Sequence, residues 1–199
     1  RDAQESRGLG DVYKRQVNNE KELWQIKRHM GHSADCFSKA FRVKNSNRDN
    51  AFWNYYDKHN YHKEDIHYWY HGSRNMNCLS ILHNGLILNP KAPKVGHMFG
   101  YGIYLAPKAK KSIGYTSLNG SFWVHGTSDK AYLFVMKTVY KSPYHVYTWT
   151  SGMKSLTKSR ISPHDAVFAH AGTSLRNDEV VIFDDAQVTL QYIIELKQQ

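Results

Sequence analysis

His71, Tyr104 and Glu179 stand 33 and 75 residues apart. Taken singly, each has an ordinary explanation as a strand-end histidine, a core tyrosine or an exposed glutamate ahead of a strand. Their flanks say more. His71 is followed at once by Gly72, Ser73 and Arg74, and Tyr104 closes a run in which Gly96, Gly100 and Gly102 crowd among aromatics. Glycine at that density marks backbone that turns sharply or comes close to a ligand. Tyr104 and Tyr115, eleven positions apart across a basic segment, offer ring faces to something flat and electron-poor.

Other chemistries fit less well. The spacing of Gly96, Gly100 and Gly102 is not the dinucleotide fingerprint, and a strand-like run follows it where pyrophosphate binding needs a helix N-terminus. His59, His62 and His67 cluster in sequence, but Asn, Tyr and Lys surround them and no His-Glu-x-x-His or cysteine pair supports a metal site. Ser73 lacks the nucleophile-elbow pattern of a hydrolase.

The elements that must position these residues follow from periodicity. Residues 20–29, with Leu23, Trp24 and Ile26, suit a helix that Gly31 ends. Residues 37–44 alternate as a strand, 45–50 are turn-rich, and Phe52, Trp53 and Tyr56 recur at helical spacing. Residues 66–70 form a β-prone run that delivers His71 at a strand end. Residues 77–84 form a helix with Leu79, Ile81 and Leu82 inward and Gly85 as its stop, and a loop at 89–96 follows. Residues 103–106 form a buried strand and 108–115 a short helix. Further strands are expected at 131–140, 144–149, 180–183 and 188–196, the last alternating cleanly through Val188, Leu190, Tyr192, Ile194 and Leu196. No βαβ rhythm appears, and residues 151–177 hold few elements.

At 199 residues with 41% hydrophobic content, the chain can bury one sizeable core. No apolar run approaches the roughly 20 residues of a membrane span, so a soluble protein with no membrane partner is expected. Cys36 and Cys78 neither form a disulfide framework nor have metal-ligand spacing, which favours a reducing compartment. A formal charge of +10 favours polyanions, with Lys91, Lys94, Lys108, Lys110 and Lys111 as the local cluster. Residues 1–16 lack periodicity, and residues 8–16 resemble translated sequencing-adaptor sequence. They are read as a flexible or artefactual lead-in, with one domain over 17–199.

Motifs in order then give a resemblance. These are His71-Gly72-Ser73, the run from Gly96 to Ala106, Lys111-Ser112 through Tyr115, and the run from Asn177 through Glu179 to Val188. Together they strongly resemble the catalytic domain of poly(ADP-ribose) polymerases, and the likeness extends more weakly from about Glu20 to the C-terminus. The resemblance implies an α+β ADP-ribosyltransferase fold, a split antiparallel β-sandwich with flanking helices that binds NAD as substrate in a cleft between its sheets. It implies a His71, Tyr104 and Glu179 triad and a glycosyltransferase acting on protein acceptors, itself included. No metal is implied. Nucleic acid stays open as a partner, although the chain shows no dedicated DNA-binding module.

The implied roles suit the substrate's chemistry. Nicotinamide is a flat cationic ring, so Tyr104 and Tyr115 are its walls. Gly72 backbone and the Ser112 hydroxyl serve its carboxamide, with Ser73 adjoining, and His71 bonds the adenosine ribose. Glu179 sits under the sugar that becomes positive as the nicotinamide–ribose bond breaks, and in this family such a glutamate permits chain elongation. Lys111 matches a lysine near that glutamate and also reads as a solvated helix lysine. The loop at 89–96 matches part of the donor-site loop, and residues 151–177 are expected on the acceptor side. Two alternatives stay open, a mono-ADP-ribosyltransferase on protein or nucleic acid and a catalytically silent NAD- or polyanion-binding module. The expected location is intracellular, nuclear in a eukaryote and cytoplasmic in a microbe.

Overall fold

The computed structural model describes residues 12–88 and 97–198. Its architecture follows from where β-branched and aromatic runs can bury both faces. The longest such runs are β5 (Lys130–Val139) and β9 (Val188–Lys197). They pair side by side at the middle of a five-stranded sheet, flanked by β2 (Phe37–Asn45) and then β1 (Val12–Gln16) on one side and by β3 (Ile66–Gly72) on the other. A second sheet runs in the order β4 (Ile103–Leu105), β8 (Glu179–Ile182), β7 (Ala166–Ala169) and β6 (Pro143–Val146). Among the named strands of the described residues every pairing is antiparallel except that of β6 with β7. This is the expected α+β split sandwich, with one parallel pair at its edge.

Phe134 and Met136 of β5 face Ile103, Leu105, Val180 and Ile182 of the second sheet in one core. Leu133 and Val135, alternating with them, face Ile26 and Met30 of α1 (Glu20–Met30) in another. Each such side chain contributes about 1.5–3 kcal/mol by leaving water. Helix α1 starts where the Asn19 side chain accepts from Glu22 N (3.0 Å) and stops at Gly31, φ 61°. Among the described residues no helix is long and apolar enough to cross a membrane.

Several expectations are corrected. Residues 12–16 are not a loose lead-in: Val12 is buried and the segment pairs with β2 from Val12↔Asn45 to Gln16↔Phe41. The rest of that lead-in, and the loop at 89–96, lie outside the described residues. The alternation read along β9 does not mark one face. A bulge between Val135 and Met136 pairs them with Tyr192 and Leu190, leaving Gln191 extra. The phase therefore flips, so Val188 and Leu190 join the core between the sheets while Ile194 and Leu196 face the α1 side.

The turn-rich residues 45–50 begin α2 (Ser46–Lys58) instead, because Asn45 accepts from Arg48 N (3.2 Å) as its N-cap. In α3 (Asn75–Asn84), Ile81 is buried, Leu82 packs against the same core, and Leu79 is exposed. Strand β7 arises inside the segment read as poor in elements, its Ala166, Val167 and Ala169 fully buried. Small side chains hid its pattern.

Candidate active site

The two sheets meet beside His71. Tyr70 N donates to Ala106 O (2.8 Å) and Ala106 N to Tyr70 O (2.9 Å), stitching β3 to the end of β4. The sheets diverge from that stitch around a cleft of about 350 Å³, within the range of small-molecule sites. His71, Gly72, Tyr104, Lys111, Ser112, Tyr115 and Glu179 all line it.

Register explains the meeting of Tyr104 and Glu179. Tyr104 of β4 lies opposite Val181 of β8. Opposite residues in an antiparallel pair share a face, and so does the residue two places along. Glu179 is that residue. Close contact between the strands depends on Gly102, where a Cβ would stand 2.3 Å from Val181 Cγ1.

The histidine wall is held from below. The His71 Nδ1 lies 3.2 Å from Tyr104 O. A carbonyl only accepts, so Nδ1 carries the hydrogen and the neutral ring keeps Nε2 as an acceptor. Burial pushes the His71 pKa below its ordinary value, against the opposing pull of that carbonyl. Gly72 follows, and α4 (Ala109–Ile113) lies directly on it, since a Cβ there would be 1.7 Å from Ser112 O. Only glycine admits that approach.

Helix α4 sends Lys111 into the cleft, where its Nζ lies 3.0 Å from Glu179 Oε2. Tyr104 is fixed at its far end, its hydroxyl donating to Gly100 O (2.7 Å) and accepting from Phe99 N (3.0 Å). Burial raises the Tyr104 pKa and the Glu179 charge raises it further; the same causes act on Tyr115. Both phenols therefore stay neutral, with unionised ring faces for a cationic guest.

Ser73 stands just beyond the residues that line this cleft, where the chain turns into α3, and its hydroxyl accepts from Asn77 Nδ2 (2.9 Å). His97 also lines the cleft, beyond the residues expected from the motifs. Its ring stacks on Tyr104 at 5.1 Å and 23°, and its Nδ1 is buried with no partner among the described residues. The signal was its place in the glycine-rich turn that must fold back to seat the tyrosine. Leu86 and Ile87, the apolar pair after α3, complete the wall.

The profile of the poly(ADP-ribose) polymerase catalytic domain matches residues 18–198. The chain belongs to that family. It is 33% identical over 146 residues to the poly [ADP-ribose] polymerase of Sarcophaga peregrina, covering 64% of this chain and 15% of the relative. It is 31% identical over 153 residues to poly [ADP-ribose] polymerase 1 of Gallus gallus, covering 64% and 14%. To poly [ADP-ribose] polymerase 2 of Arabidopsis thaliana it is 26% identical over 206 residues, covering 91% and 31%. The matches span about 15% of the length of the first of these curated relatives, so this poly(ADP-ribose) polymerase domain corresponds to one part of much longer proteins.

Proposed function

We propose that the domain cleaves the nicotinamide–ribose bond of NAD and transfers ADP-ribose to protein side chains, its own included, and onward to growing ADP-ribose chains. The observation that carries this reading is the convergence of His71, Tyr104, Tyr115, Lys111, Ser112 and Glu179 on one cleft.

The donor set fits the substrate. Two neutral phenol rings suit a flat cation, and the Gly72 backbone beside the buried Ser112 suits a carboxamide. His71, neutral and with Nε2 as acceptor, takes a hydrogen bond from a ribose hydroxyl and fixes the dinucleotide's pose.

Glu179 does the electrostatic work. As the bond to nicotinamide stretches, the ribose gains positive charge, and a fixed carboxylate attracts that charge more in the transition state than in the ground state. Lys111 holds the carboxylate by its Oε2, which leaves Oε1 to meet the sugar or an incoming hydroxyl. The neutral leaving group departs with the bonding electrons, and the acceptor oxygen closes on the same carbon as its proton passes to water. The test is mass spectrometry of the protein after exposure to NAD. A series of added ADP-ribose units supports polymer formation, a single unit supports one-step transfer only, and an unmodified chain with intact NAD contradicts both.

A further inference from the structure

From Tyr115, a wall of the cleft that is still 41% exposed, a strip of rings continues outward through Trp123 (46%) to Phe122 (57%), two side chains that the chemistry above does not use. Tyr115 and Trp123 are stacked at 5.8 Å and 18°, and Phe122 meets Trp123 edge-on at 4.6 Å and 87°. The Arg176 guanidinium closes the strip, 5.6 Å over the Phe122 ring. Arg176 belongs to the loop that leads three residues later to Glu179, so the strip joins both sides of the cleft mouth.

The segment bearing these rings is built to hold them out. Asn119 N donates to Ser128 O (2.8 Å), Gly120 N to Gly126 O (3.0 Å) and Gly126 N to the Ser121 hydroxyl (2.8 Å). Gly120, at φ 75°, and His125, at φ 49°, give the turns this folding requires. Trp123 N bonds Gly114 O (2.9 Å), and its ring lies so close that a Cβ on Gly114 would be 2.7 Å from Trp123 Cδ1. Pinned aromatic side chains left in water are a binding surface more often than a core feature.

Charge selects the occupant. Exposed rings in contact, two near parallel and the third edge-on beneath a guanidinium, on a chain of net charge +10, suit bases that stack while cations take the phosphates. Helix α4, which lines the cleft with Lys111 and Ser112, exposes Lys110, and Lys108 just ahead of it is exposed too. An acidic protein would find the charge but no use for the flat faces. We infer that the rim formed by Tyr115, Trp123, Phe122 and Arg176 binds single-stranded nucleic acid beside the cleft.

The test titrates a labelled single-stranded oligoadenylate into the full chain by fluorescence anisotropy, with polyglutamate of equal charge and ADP-ribose polymer as competitors. The Phe122→Ala/Arg176→Gln variant should bind at least about tenfold more weakly, and polyglutamate should compete poorly. Trp123→Phe, which keeps an aromatic face, should retain most of the binding. Equal binding by the double variant, equal competition by polyglutamate, or preference for ADP-ribose polymer over oligoadenylate would each overturn the proposal. Nicotinamide release from NAD by the same samples reports separately on the transferase reading. It should change less than about twofold in the double variant, and its absence in every sample would count against that reading while leaving the binding result intact.

Discussion

Lys111 Nζ lies 3.0 Å from Glu179 Oε2, and the two side chains are only 9% and 13% exposed. A charge so placed is tolerable because its partner is there. Lys111→Met leaves the carboxylate facing the cleft alone and should destabilise the fold by about 1–3 kcal/mol, below the roughly 3–5 kcal/mol seen on breaking fully buried pairs. Lys111→Met/Glu179→Gln should recover part of that loss. Urea melts of the single and double variants measure both, and strict additivity would show that the pair is not coupled.

The closeness of α4 to β3 depends on one missing side chain. Gly72→Ala puts a Cβ 1.7 Å from Ser112 O, so the helix carrying Lys111 and Ser112 must move. Loss of stability of at least about 3 kcal/mol is expected, as for severe overpacking. Gly120→Ala, at φ 75° with nothing within 4 Å, should cost only about 1 kcal/mol through its backbone. Thermal melting separates these two outcomes, and equal effects would refute the packing argument.

Tyr104 owes its pose to its hydroxyl, which joins Phe99 N and Gly100 O. Tyr104→Phe keeps the ring but leaves both backbone groups short of a partner. The expected cost is about 1–3 kcal/mol, with weaker NAD binding as the ring loosens. A titration of NAD against intrinsic fluorescence checks the second part, and unchanged affinity would place the hydroxyl outside the binding function.

Burial lowers the pKa of His71 from its ordinary 6.5, and His29 and His67 shift the same way for the same cause. The unfolded chain therefore takes up these protons before the fold does. Stability is complete above about pH 6.5 and falls as the pH drops toward the lowered folded values. Melting temperatures should decline on acidification from about pH 7 to about pH 5, less steeply in His71→Gln. A melting temperature that rises over that range contradicts the assignment of neutral, buried imidazoles.

What the sequence disclosed tracks how local the physics is. Gly31 and Gly85 ended their helices, at φ 61° and 71°, because a C-terminal stop is written in two or three residues. His71 at a strand end and Glu179 opening another were readable from the apolar runs beside them. The bulge that flips β9 was not, since an unbroken alternation conceals an extra residue imposed by the neighbouring strand. Val12–Gln16 paired because β2 presented an edge, not because its own residues alternate in burial. His97 and the Lys111–Glu179 pair come from turns and long-range register, which no local pattern carries.

The most direct measurement of the central claim is the rate of nicotinamide release from NAD by the unaltered chain and by Glu179→Gln, at matched folding as judged by circular dichroism. The substitution keeps size and hydrogen bonding but removes the charge that faces the sugar. The account predicts release by the unaltered chain and a fall of at least about tenfold in the variant. Equal rates in the two proteins would contradict it.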